Sequence, residues 1–394
     1  MMTRLTRILH SLLCLTLCAT TLTSCIEEYE ADIDASDTDL LVVEGTICSG
    51  QLNTFYLSRT QALNGTDTPL MVTGATVSVR GTDGTQIPAQ GDNGRYTCQV
   101  NQLSASVEYF LHIEVDGEVY ESTPQQPLAT EEIAEVQAVQ LTRESSIDIL
   151  VTPEDPHDPD RDYYYQWTYD ETWQVEPDYY TSMYFDTELM EPVWQDIYHF
   201  PRRGWVDATS STIMIGANTG YAGHHISQLQ LYAIDRADVR MFHRYSALLH
   251  QRAISKGEYE YQLARRQAGS EMGGLFTPLP SALPTNLRCL TSSKHVIGFV
   301  GCSLNTTDHR FFLNRSEFSI HDSSGADGRL WLEDPTMEDC AKMVSQGLYL
   351  CEWDDAEKSP DGKLHTAWAY LHQLDVRHRY EGAYIEKPAF WTEE

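Results

Sequence analysis

The chain reads as a mostly β protein: an N-terminal immunoglobulin-like or prealbumin-like β-sandwich, then a larger β-rich domain with an inserted helical pair. Three observations predict this. Between Leu40 and Ser122 short runs alternate apolar and polar residues, as half-buried strands require, and Asp83-Gly84 and Asp116-Gly117 separate such runs as hairpin turns. Pro124 and Pro127 then break the pattern, because proline cannot donate to a sheet ladder. Beyond them strand-like runs resume, interrupted by a stretch with three- and four-residue apolar spacing.

The first-domain runs are Leu40 to Ile47, Thr54 to Arg59, Ala75 to Arg80, Arg95 to Val100, Glu108 to Val115 and Glu118 to Glu121. About seven strands in roughly 85 residues is the density of a sandwich. Residues 40–127 form this domain and residues 131–394 the second. In the second domain strands are expected at Ile133 to Leu141, Ile147 to Thr152, Tyr163 to Val175 and Gln228 to Ile234. Phe242, Tyr245, Leu248, Leu249 and Ala253 then share one helical face, and Ser255 to Glu258 fits a capping box opening a second helix to about Ala268. The helical pair thus falls near residues 236–268. Strands follow at Leu287 to Leu290, His295 to Cys302 and Arg310 to Ile320.

Residues 1–24 have the parts of a secretory signal: Arg4 and Arg7, an apolar run from Ile8 to Leu22, and small residues before a break. The break, Leu22-Thr23-Ser24-Cys25, resembles the lipobox of bacterial lipoproteins, in which the cysteine becomes the lipidated N-terminus. The apolar run is short for a span, which needs roughly 20 apolar residues, whereas two or more acyl chains hold a protein on a membrane. Residues 25–39 then form an acidic linker with Glu27, Glu28, Glu30, Asp32, Asp34, Asp37 and Asp39, similar to the export signal of Bacteroidota surface lipoproteins. Loss of residues 1–24, with Arg4 and Arg7, takes the formal charge from −31 to −33. So acidic a surface argues against nucleic acid and anionic lipid as partners.

Six cysteines remain after the signal and Cys25: Cys48, Cys98, Cys289, Cys302, Cys340 and Cys351. An even number in an exported chain suggests disulfides. Neighbour pairing would join two strands (Cys48 with Cys98), close a hairpin (Cys289 with Cys302) and clip a C-terminal loop (Cys340 with Cys351); free buried thiols are the alternative. No spacing matches a CxxC zinc site.

No HExxH, GxSxG, phosphate loop or dinucleotide fingerprint occurs, and no cofactor is expected. His224-His225 with His243 and His250 invites a metal site, but solvated histidines are the simpler reading. The run from Pro153 to Asp162 packs carboxylates as calcium prefers, without the glycine and terminal glutamate of an EF-hand loop. The most informative stretch is Tyr163 to Trp205, which holds 12 of the 30 Tyr and Trp residues. On a strand, Tyr165, Trp167 and Tyr169 share one face, and sheet core is the expectation there. Tyr179, Tyr180, Tyr184, Trp194, Tyr198 and Trp205 have weak periodicity and read as an exposed loop that recognises a peptide, a glycan or a partner protein.

Leu41-Val42-Val43-Glu44-Gly45, Val72 to Val77, Asp162 to Trp167, Gly273 to Pro280, Val296 to Val300 and Lys387 to Trp391 recur in an order that resembles a Bacteroidota lipoprotein family, domain of unknown function 4249. The resemblance spans nearly the whole mature chain. It implies a surface accessory of a TonB-dependent outer-membrane receptor. The expected role is non-enzymatic ligand capture; a structural or adhesive surface protein and a hydrolase with a dispersed site are the alternatives.

Overall fold

The computed structural model describes residues 39–61, 69–156, 158, 160–270, 283–321 and 327–392. The signal region, Cys25, most of the acidic linker and the Gly273 to Pro280 motif lie outside the described residues.

Nine strands open the chain: β1 (Leu41–Cys48), β2 (Gln51–Arg59), β3 (Leu70–Met71), β4 (Thr76–Gly81), β5 (Gln86–Pro88), β6 (Gln90–Asp92), β7 (Arg95–Val100), β8 (Tyr109–Val115) and β9 (Glu118–Ser122). One sheet runs β1-β2-β7-β6 with β3 on β2, the other β9-β8-β4-β5. Val43, Phe55, Leu57, Val79, Leu111 and Ile113 fill the space between them, each wholly buried. The alternation is the cause: on a pleated strand every second side chain faces the partner sheet. Asp116 and Gly117 both have positive φ, 52° and 76°, as a two-residue hairpin turn demands.

The chain then builds a second sandwich from β10 (Ile133–Val139), β11 (Ile147–Pro153), β12 (Tyr164–Val175), β13 (Met183–Asp186), β14 (Glu191–Trp194), β15 (Gly204–Thr209), β16 (Met214–Ala217), β17 (Leu229–Ile234) and β18 (Arg244–Ile254). The order β10-β11-β17 makes one sheet, and β12, flanked by β15, β16 and β18, makes the other. Ile147, Ile149 and Val151 pack against Tyr165, Trp167 and Tyr169, so these three aromatics share a buried face as the spacing predicts. Strands β13 and β14 form a separate hairpin.

The first expected helix is instead strand β18, paired with β12 from Tyr245 to Ile254. Its inward positions are Tyr245, Ala247, Leu249, Gln251 and Ala253. Two residues hide this alternation: Leu248 is only half-buried, and Gln251 is wholly buried though polar. Gln251 is satisfied there, accepting from Trp167 Nε1 at 2.9 Å and donating to the Glu131 carbonyl at 2.7 Å. The second expected helix is present as α1 (Lys256–Ser270). Ser255 Oγ accepts from the Glu258 amide at 3.2 Å, but the Glu258 carboxylate turns to Arg252.

The chain next re-enters the first sandwich. Strand β19 (Leu287–Cys289) pairs with β9, and β20 (Val296–Ser303) runs parallel to β1 from Leu41↔Val296 to Cys48↔Ser303. The expected boundary, which assigns all of residues 131–394 to the second domain, is therefore corrected: residues 287–303 complete the first. An apolar strand carries no mark of which sheet it joins, and a parallel pair leaves no turn signal. Strand β21 (Thr307–Asn314) returns to β18.

The last part is a small α/β layer of β22 (Leu330–Glu333), α2 (Met337–Ser345), β23 (Leu348–Asp354), β24 (His365–Tyr370), α3 (Leu371–Leu374) and α4 (Val376–Arg379). A capping box of Thr336 and Asp339 starts α2. Phe185 of the β13–β14 hairpin packs here with Cys340, Leu350 and Trp368. Trp391 then anchors the C-terminal segment, buried against Trp205 and Phe312. No helix among the described residues is long and apolar enough to cross a membrane.

The expected disulfides are not formed; all six cysteines are free thiols. Strand β2 lies between β1 and β7, which separates Cys48 from Cys98 by two strand spacings, roughly 10 Å against the roughly 7 Å limit for a bridge. Cys302 is in the sandwich core, whereas Cys289 Sγ faces the hydroxyls of Thr291 and Ser292. Cys340 is on the buried face of α2, while Cys351 is the extra residue of a bulge between Leu350 and Glu352.

Candidate functional site

The six aromatics expected to form one exposed surface divide. Trp205 is buried, tilted against Tyr384 and edge to face with Trp391, so it is part of the packing that anchors the C-terminal segment; the weak local periodicity concealed its place on β15. Tyr184 is half-buried on β13. Tyr179 is half-buried beneath the Arg329 guanidinium, and its hydroxyl accepts from the Gly328 amide at 2.6 Å. Tyr180, Tyr198 and Trp194 are exposed, at 36%, 44% and 56%. Trp194 ends the β13–β14 hairpin, whereas Tyr180 and Tyr198 meet edge to face with centroids 5.7 Å apart.

That pair has a cationic cover. The Arg202 guanidinium lies 5.1 Å from the Tyr180 ring centre and 4.5 Å from that of Tyr198, where the ring quadrupoles attract it. The Tyr180 hydroxyl donates to Glu176 Oε2 at 2.5 Å. Burial and this carboxylate together push the phenol's pKa well up, so the hydroxyl stays a donor. Glu176 lies just beyond β12, which points Gln174 at the same carboxylate; Gln174 Nε2 donates to Oε1 at 3.0 Å. Arg203 Nε and His243 Nδ1 approach Oε1 at 3.8 and 3.7 Å.

Beside this cluster opens a cleft of about 840 Å³, lined by Gln174, Arg203, Phe242, His243, Arg244, Arg315, Ser316, Phe318, Ser319 and Ile320. A second hollow of about 410 Å³, lined by Glu176, Tyr180, Arg202 and Arg203, shares Arg203 with it. Strands β12 and β18 and the turn after β21 supply the walls. Arg244 lies over the Phe312 ring at 4.8 Å and donates from Nη2 to Thr392 at 3.2 Å. Its Nε and Nη1 are buried without a hydrogen-bond partner among the described residues. Arg315 Nη1 donates to the Phe242 carbonyl at 3.1 Å. Among the described residues the larger cavity's lining contains three arginines and a histidine but no carboxylate. Sequence reading missed this, because the cations are scattered as Arg202-Arg203, His243-Arg244 and Arg315 in a chain of formal charge −31.

The histidines considered as metal ligands do not assemble. His224 is in a short turn with φ 52°, His243 is in the cleft, and His250 is bracketed by Asp308 at 2.7 Å and Asp170 at 3.2 Å. In the acidic run considered for calcium, Asp158 accepts from the Asp160 amide and Asp162 from the Tyr164 hydroxyl; His157 and Pro159 lie outside the described residues. Among the described residues no group of three or more His, Cys, Asp or Glu converges.

No curated protein matches the chain. Among solved structures, a Salmonella alpha-2-macroglobulin mutant is 10% identical with a TM-score of 0.19, covering 84% of this chain and 20% of its own. A structure of manganese lipoxygenase of Gaeumannomyces graminis with part of zonadhesin of Komagataella pastoris is 8% identical with a TM-score of 0.14, covering 70% of this chain and 94% of its own. Neither bears on function. The family model described as Domain of unknown function (DUF4249) matches residues 26–309, most of the chain, and the chain belongs to that family.

Proposed function

We infer that the chain is a lipid-anchored, surface-exposed outer-membrane protein that captures a ligand in the Gln174–Arg203–Arg315 cleft and serves a TonB-dependent receptor. Cys25 after an apolar run supports the tether, and the acidic residues behind it support export to the surface. The observation that carries the capture reading is an open cleft with cations in its lining, sharing Arg203 with a neighbouring hollow that Tyr180, Arg202 and Glu176 line, where Tyr180 meets Tyr198 edge to face. Rings supply contact area at low entropic cost and fixed cations orient a polar ligand. The role is non-enzymatic; the sequence has no local catalytic motif. The receptor partner comes from what the family resemblance implies.

Extraction of the full chain from its own membrane in mild detergent tests this reading. A TonB-dependent β-barrel should co-purify and be identified by mass spectrometry, and Cys25→Ser should abolish acyl labelling and release the protein from the membrane. Isolation as a lone monomer, or unchanged acylation of Cys25→Ser, would contradict it.

A further inference from the structure

We propose that the cleft selects a carboxylated saccharide, with Arg202 as the carboxylate-binding arm; this rests on the capture reading above. A chain of formal charge −31 repels anions at long range, whereas the lining of the cleft of about 840 Å³ holds three arginines and a histidine and, among the described residues, no carboxylate. The Arg202 guanidinium lies 5.1 and 4.5 Å from the centres of two exposed rings and has no carboxylate partner among the described residues. Its planar fork matches a carboxylate, and the two ring contacts restrict where it sits before a ligand arrives. Arg244, with two guanidinium nitrogens buried and unpaired, adds positive potential from below. The remaining lining interleaves rings and polar groups: Phe242 and Phe318 with Gln174, Ser316 and Ser319. A sugar ring presents this same pair of surfaces, an apolar C–H face and a hydroxyl edge. An acidic peptide would instead call for a paired strand edge or deep side-chain pockets, whereas the cleft is open to solvent and lined by polar and apolar groups in similar measure.

The test uses the full chain in detergent micelles and calorimetric titration with oligogalacturonate, oligomannuronate and hyaluronan oligosaccharides, the methyl-esterified neutral form of each, and oligoglutamate. Free uronates should bind at least tenfold more tightly than their esters and more tightly than oligoglutamate, with affinity falling as salt rises. Arg202→Ala and Arg202→Lys should each lose about tenfold on the free acids and little on the esters, since lysine keeps the charge but not the fork. Equal binding of acid and ester, with loss in a cleft-filling Ser316→Trp variant, would overturn the carboxylate claim while leaving the cleft as a capture site. Preference for oligoglutamate would assign the cleft to peptide. Binding of none of the probes, or unchanged uronate affinity in Arg202→Ala, would overturn the proposal.

Discussion

The carboxylate of Glu258, on α1, occupies the space that a side chain on Gly301 of β20 would need. The same carboxylate pairs with Arg252 of β18 at 2.5 Å, and the two side chains are only 3% and 12% exposed. One buried ion pair thus joins the second sandwich and α1 to the strand that closes the first.

Gly301→Ala should therefore cost about 1–3 kcal/mol, because the added methyl forces the pair apart in a packed joint. Glu258→Ala should cost more, about 3–5 kcal/mol, since it leaves the mostly buried Arg252 charge without its carboxylate, with only Gln166 and Ser303 as neutral partners. Urea unfolding of the two variants checks this ordering.

The free thiols should differ sharply in reactivity. Burial pushes Cys98 and Cys340 up to about 11 and Cys302 and Cys351 up to about 12, and raises Cys48 as well. At Cys289 burial acts in the same direction, but hydrogen bonds from Ser292 and Thr291 outweigh it and lower the thiol. Iodoacetamide at pH 8 should label Cys289 first in the native protein and the other five only on unfolding, as read by peptide mass spectrometry.

Acid should weaken the fold through two aspartates. Burial opposes ionisation of Asp238, yet Arg240 overcomes it and holds the carboxyl below its ordinary value. Hydrogen bonds from Arg377 do the same for Asp375. A carboxyl lowered in the folded state adds stability above its unfolded pKa of about 3.9, and that stability is lost as pH falls through the lower folded value. The urea midpoint should hold near neutrality and drop below about pH 4, and Asp238→Asn should flatten that acid limb.

The sandwich strands were legible because alternation and Asp-Gly turns are local signals, and β1, β4, β7 and β8 lie within about two residues of their expected bounds. Strand β18 was not, since its inward Gln251 is satisfied by Trp167, Glu131 and Glu132, residues far off in sequence. The return of β20 to β1 was hidden for a similar reason: parallel pairing between residues about 255 apart, as in Leu41↔Val296, leaves no trace in either segment. Tyr180 and Tyr198 could be singled out by aromatic density alone. The cleft's cations could not, because Arg203, Arg244 and Arg315 come together only when β15, β12, β18 and β21 are side by side.

The central claim, that the cleft is the working surface, is tested most directly by filling it. Full-chain Ser316→Trp, which alters an exposed lining residue, should keep the wild-type melting temperature and lose at least tenfold in affinity for uronate oligosaccharides. Trp331→Ala, an exposed aromatic away from the cleft, should bind as wild type. Wild-type affinity in Ser316→Trp, or equal losses in both variants, would contradict the account.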